Sequence, residues 1–118
     1  MTISAMEATR AAVKVAQREG THLEDVTITS HISGTSGEYR AHVAGSDHIG
    51  RLTWTEKDGA RHAEHTLVPK EIGGRGVAAK LVEALIADAQ TQGFKVKPVC
   101  SYVVKAFEKH PEWADLLA

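Results

Sequence analysis

Three places in this sequence carry residue types able to do chemistry. The first is Val68-Pro69-Lys70-Glu71-Ile72-Gly73-Gly74-Arg75-Gly76-Val77-Ala78-Ala79-Lys80-Leu81. Glycines let a backbone take positive φ and come close to a ligand, and the first N–H groups of a helix lack internal partners. Together with the positive end of the helix dipole, those donors make an anion site that a phosphate would suit. A tight strand-to-helix turn explains the glycines about as well. The second place is Cys100, the one cysteine, set between a predicted strand and a predicted helix. A helix N-terminus favours thiolate, although unpaired cysteines more often act as small buried apolar side chains. The third is His65 in Glu64-His65-Thr66-Leu67. Its imidazole could serve as a base near neutral pH or as a strand-end structural group. Strand alternation sets Glu64 and His65 on opposite faces, so at most one faces a cleft, and it separates His62 from His65, which argues against a shared metal.

These groups need elements to hold them. The turn follows a predicted strand, Ala60 to Val68, and opens the strongest helix in the chain. Val77, Leu81 and Leu85 recur every fourth residue, as do Ala78, Val82 and Ile86, with Gly93 as the stop. Phe94 to Cys100 reads as a strand, and Ser101 to about Lys109 as a helix broken by His110-Pro111, with a last turn over Glu112 to Leu117. Upstream, Val26, Ile28 and Ile32 suggest a strand closed by Gly34-Thr35-Ser36-Gly37. Alternation at Tyr39–Val43 and Gly50–Thr55, turns at Gly45-Ser46-Asp47 and Asp58-Gly59, and the Ala60 strand make an antiparallel meander. Ser4 to Glu19 predicts a helix with a thin apolar stripe. The expected organisation is a helical extension over 1–25 and an α+β domain over 26–118. Trp54, Trp113 and Phe94 are expected to pack rather than form a substrate cage.

At 118 residues the chain suits one domain, and 42% hydrophobic with 25% charged residues is ordinary for a soluble globule. A net charge of -1 argues against general nucleic-acid or membrane-surface binding. From Lys70 to Lys109, seven basic residues face four acidic ones, a bias that suits a polyanionic cofactor. A lone cysteine, with no signal peptide and no long apolar run, leads us to expect a cytoplasmic protein. Gly74-Arg75-Gly76-Val77-Ala78-Ala79 also fits a dinucleotide fingerprint, but too little chain follows for further βα units, and no acidic residue ends the next strand. A P-loop lacks its Gly-Lys-Ser/Thr.

The turn resembles the cofactor motif of the GCN5-related N-acetyltransferase superfamily, with Gly76 and Ala78 at its last fixed positions and Gly73 where Arg or Gln is usual. The flanks Glu64–Pro69, Lys97-Pro98-Val99-Cys100-Ser101-Tyr102-Val103 and His110-Pro111-Glu112-Trp113 are similar to a small YjdJ-type subgroup. The resemblance covers roughly Val26 to Ala118. It implies an acyl-CoA N-acyltransferase-like fold with a mostly antiparallel central sheet flanked by helices. It further implies acetyl-coenzyme A as cosubstrate, with pantetheine against the strand end at Leu67 and Val68. The pyrophosphate would lie on the turn, for which Gly73, Gly74, Arg75, Gly76, Val77, Ala78 and Ala79 are the candidates. The acceptor would be an amine, and an open site would suit one on a peptide or protein. Cys100, with His65 as its nearest base, is the catalytic expectation. The competing expectation is a module that holds coenzyme A or a protein partner without turnover.

Overall fold

The computed structural model describes residues 26–118. The expected helix Ser4–Glu19 lies outside the described residues. Four antiparallel strands follow one another as β1 (Val26–Ser33), β2 (Ser36–Val43), β3 (Ile49–Lys57) and β4 (Ala60–Leu67). A 3-10 turn (Lys70–Ile72) leads to helix α1 (Val77–Gln92), then β5 (Lys95–Pro98), helix α2 (Ser101–Lys109) and a 3-10 segment (Pro111–Leu116). The strands lie in sequence order in one sheet, and only the β4–β5 pair is parallel. The architecture is α+β, as expected.

Why α1 lies where it does follows from its period. Val77, Leu81, Val82, Leu85, Ile86 and Ala89 are buried, and they form one cluster with Tyr39, Ala41, Leu52, Trp54, Ala63 and Val96 from the sheet. The β residues in that cluster alternate with half-exposed neighbours, so one sheet face is covered by α1. The opposite face carries Glu38, Arg40, Arg51, Thr53 and Thr55, and we call it the open face. Gly37 belongs to β2 rather than to the preceding turn, opposite Trp54. A Cβ there would come within 2.5 Å of the Trp54 ring, so only glycine lets the indole lie flat against the strand. The first hairpin also overhangs the core, which leaves Ile32 59% exposed.

One charge is buried in this core. The Arg61 guanidinium lies 3.9 Å from the Trp54 ring centroid and 4.1 Å from that of Phe94. Its Nη1 donates to the Tyr39 hydroxyl (2.9 Å), which donates to Asp88 Oδ2 on α1 (2.8 Å). Burial, then the neighbouring Asp88 carboxylate, push the Tyr39 phenol well above its ordinary range. It therefore stays a neutral donor that ties sheet to helix.

Between β3 and β4 the register shifts: Thr53 faces His65, but Trp54 faces Ala63. Glu64 is the extra residue of a β-bulge. Its Oε1 accepts from the Thr55 hydroxyl at 3.1 Å, so Glu64 turns toward the open face. His65 and His62, opposite Thr53 and Thr55, occupy that face as well. The expected separation of Glu64 from His65, and of His62 from His65, is thus overturned by the bulge. No three His, Cys, Asp or Glu side chains converge as a metal site among the described residues.

Candidate active site

The site begins where β4 and β5 part. Their parallel pairing runs from Ala60 with Lys95 to Ala63 with Pro98 and stops there. Pro98 has no N–H to extend the ladder. The Ala63 carbonyl instead accepts from both Val99 and Cys100 N–H, each at 3.0 Å, and this turns the chain away into α2. The strand therefore ends at Pro98, two residues short of the expected Cys100. Beyond Ala63, β4 runs on through Glu64, His65, Thr66 and Leu67 paired only with β3. A wedge opens between that strand end and Val99–Cys100.

Thr66 and Cys100 meet across the wedge, with Cys100 Sγ 3.5 Å from Thr66 Oγ1. Thr66 lies opposite buried Leu52, so this contact is on the α1 side of β4. His65 projects from the other side, across from Thr53. The structure thus gives the thiol Thr66 as its hydroxyl neighbour, where sequence reasoning expected His65. Alternation along β4 from Leu67 back to Thr66 was the signal that could have found Thr66. Cys100 is half-buried and is the residue before the first turn of α2. Burial alone would push its thiol up. The Thr66 hydroxyl, then the N–H groups of Val103, Tyr102 and Thr66, outweigh that and hold it below its ordinary value. None of the helix N–H groups closes a cap hydrogen bond to the sulfur, so their effect is that of nearby dipoles favouring thiolate.

The glycine turn stands just downstream. Buried Ile72 anchors the 3-10 turn, while Gly73, Gly74, Arg75 and Gly76 are exposed. Gly74 and Gly76 both have φ of 75°, a left-handed conformation that L side chains rarely adopt. A Cβ on either would meet nothing within 4 Å, so the surface above them is open. The first backbone bond of α1 runs from Lys80 N–H to the Gly76 carbonyl at 3.1 Å, which leaves the N–H groups of Val77, Ala78 and Ala79 without helical acceptors. No acidic residue lies in that first turn to compete for them.

From Ala79 a groove of about 260 Å³ runs between α1 and α2, lined among others by Tyr102, Lys105, Lys109, His110 and Trp113. His110 stacks on Trp113 at 4.0 Å, and Trp113 meets Phe107 edge-on at 5.6 Å. The sequence signal for this groove was the basic bias after Lys70, with Lys105 and Lys109 one helical turn apart. On the other side of the turn, Leu67 and Val68 border a shallow recess with Asp47, His48, Ile49, Arg51 and Pro69. Leu67 is 56% exposed, an apolar side chain with little to pack against.

A strand end parting from its neighbour, a thiol and hydroxyl in the wedge, and a glycine-led helix N-terminus thus lie consecutively along one side of the fold. No helix among the described residues is long and apolar enough to cross a membrane. Comparison with curated proteins and with solved structures gave no match. The family described as GCN5-related N-acetyl-transferase matches residues 38–116, the segment that runs from within β2 through the last 3-10 turn and so holds every feature of the wedge and the glycine turn. The chain belongs to the GCN5-related N-acetyltransferase family.

Proposed function

We propose that the chain is an acetyl-coenzyme A-dependent N-acetyltransferase, with residues 26–118 as the acetyltransferase domain and 1–25 as an accessory extension, acting in the cytoplasm. The observation that carries this reading is the parting of β4 from β5 immediately upstream of the glycine turn. The first leaves extended backbone at Leu67 and Val68 for an amide-bearing arm. The second leaves the N–H groups of the Gly73–Ala79 turn for a pyrophosphate. The residues present fit the cofactor: Gly74 and Gly76 are open above, and no carboxylate opposes an anion in the first turn of α1. The segments His65-Thr66, Pro98-Val99-Cys100 and His110-Pro111-Glu112-Trp113 support the small YjdJ-type subgroup.

Bound there, acetyl-coenzyme A would supply a thioester. In the transfer the amine nitrogen loses one proton and the departing sulfur gains one. His65, on the open face, takes up the first. Cys100 and Thr66, on the α1 face, act on the acetyl and sulfur end. Cys100 is either a nucleophile that carries the acetyl or the group that manages the leaving thiolate. The Thr66 hydroxyl accepts from the thiol and turns to donate once thiolate forms. Backbone N–H groups near Leu67 polarise the carbonyl. The proposed division is by face: Cys100 and Thr66 act from the α1 side of β4 and His65 from the other, and the wedge is where the amine would meet the acetyl carbon.

Calorimetric titration with acetyl-coenzyme A tests the cofactor. Binding is expected, and Gly76→Asp should abolish it, because the new side chain brings a negative charge to the phosphate seat and is strained at positive φ. No binding by the parent at millimolar ligand would overturn the reading. Binding without acetyl transfer to any of a broad amine panel would favour a module that holds coenzyme A.

A further inference from the structure

On the open face, Arg40 of β2 and Arg51 of β3 stand directly opposite each other. Like charges in that position repel. Glu38, opposite Thr53 on the same face, binds both: Arg51 Nη1 donates to its Oε2 at 2.9 Å, and Arg40 Nε donates to the same oxygen. Among the described residues Glu38 is the ion-pair partner of each. Within this trio one carboxylate serves two guanidiniums and leaves an excess of one positive charge, while Glu64 on the same face accepts from Thr55 and pairs with neither arginine. The cations are the outer layer, with Arg40 and Arg51 side chains 37% and 41% exposed against 20% for Glu38. Each fork spends one nitrogen on Glu38, and among the described residues no other side chain takes up the remaining N–H donors, which can pair with an oxyanion bidentately.

The position of this pair relates it to the wedge. Arg51 lies opposite Leu67, the last residue of β4, one strand spacing or about 5 Å away. Arg51, Leu67 and Val68 share the recess at the strand end. A second recess of about 420 Å³ on the same face includes Glu38, Arg40, Thr53 and Glu64. Between Glu38 and His65 lies Thr53, whose buried Oγ1 has no hydrogen-bond partner among the described residues. A guanidinium pair, an unspent hydroxyl and the proposed base therefore occupy adjacent strands.

We propose that Arg40 and Arg51 recognise an oxyanion on the acceptor, so that the substrate is a small primary amine bearing a carboxylate or phosphate a few bonds from its nitrogen. This rests on the acetyltransferase reading above for the amine, and on the arginine pair alone for the anion. Glu38 orients the two forks, and the amine reaches past Leu67 toward the wedge while its anionic end stays on the pair.

The test compares acetylation of straight-chain amines of equal length with different ends: 6-aminohexanoate against hexylamine, and 2-aminoethyl phosphate with β-alanine against ethanolamine. The anionic members should have kcat/KM at least about tenfold above their neutral counterparts, since charge-assisted hydrogen bonds are worth that much. Arg51→Gln and, separately, Arg40→Gln should erase the advantage, so that the anionic and neutral members of each set have equal kcat/KM. The carboxylate and phosphate arms show which oxyanion is preferred. Equal rates for anionic and neutral amines, or a preference that survives both substitutions, would overturn the proposal. A readout without turnover keeps it separate from the acetyltransferase reading. Titrating 6-aminohexanoate into the full chain should move backbone amide resonances at Glu38, Arg40 and Arg51, and not in Arg51→Gln. Shifts there without acetyl transfer would sink the enzyme reading alone, whereas no shifts at high millimolar probe would sink the anion site.

Discussion

The two halves of β4 sit in different surroundings. Ala60, Arg61, His62 and Ala63 are flanked by β3 on one side and β5 on the other, and three of the four are buried. Glu64, His65, Thr66 and Leu67 keep β3 but lose β5, and none is buried. The first half places the Arg61 guanidinium between two aromatic rings. The second half presents a carboxylate, an imidazole, a hydroxyl and an apolar side chain around an open wedge. One strand thus holds the sheet together with one half and offers chemistry with the other, and the bulge at Glu64 marks the change. A wedge supported by a rigid pair of strands keeps its groups in place without having to contribute to the core itself.

The largest test of that contrast is in the first half. Arg61→Ala removes a cation from the Trp54 and Phe94 faces and a donor from the Tyr39 hydroxyl. Stability to urea should fall by about 2–4 kcal/mol. A loss under about 0.5 kcal/mol would mean that the guanidinium is idle and that the two halves do not differ in this way.

A smaller effect on folding and a specific effect on activity are expected across the wedge. Cys100→Ala should keep cooperative unfolding and acetyl-coenzyme A affinity while turnover falls about tenfold or more. Unchanged turnover in the folded variant would reduce Cys100 to packing. The thiol can also be read directly. Because its folded value lies below the ordinary one, iodoacetamide should alkylate native chain with a pH midpoint lower than that of urea-unfolded chain. Thr66→Val should move the native midpoint upward. A midpoint at or above the unfolded one would remove the proposed thiolate bias.

The smallest effect lies next door on the open face. The hydrogen bond from Arg40 lowers the Glu38 carboxyl most, burial raises it, and the charges of Arg40 and Arg51 lower it further, to a net depression. A depressed carboxylate contributes stability that is present above its unfolded pKa and is lost as pH falls through the folded one. Glu38→Gln should therefore cost a little stability at pH 7 and almost none once pH has fallen below the folded pKa, which flattens the acid limb. A variant whose loss is the same at every pH would show that packing, not charge, is what Glu38 supplies.

Much of the frame was legible in the sequence. The period of Val77, Leu81 and Leu85 between Gly76 and Gly93 placed α1, and α2 starts at Ser101 as read, because each signal is local. The bulge was not legible. No residue type announces it, so alternation carried straight through Glu64 assigned Glu64, His65 and His62 to the wrong relative faces. The end of β5 was misplaced by two residues, since the Ala63 carbonyl that captures Val99 and Cys100 belongs to a distant strand. The burial of Arg61 was missed for a similar reason. Its aromatic partners come from β3 and from the segment ahead of β5, and only the folded sheet brings them together. The Arg40–Arg51 pair needed the β2–β3 register, which a two-strand reading without register does not supply.

The two tryptophans of the chain report on different events. Trp54 is 2% exposed beneath Arg61, so its emission should be blue-shifted and move to the red only when the sheet comes apart. Trp113 is half-buried in the α1–α2 groove and stacked on His110. Filling the groove should change its intensity while the fold stays intact. Replacing either indole by phenylalanine would leave a single-channel fluorophore, one reading global unfolding and the other reading groove occupancy.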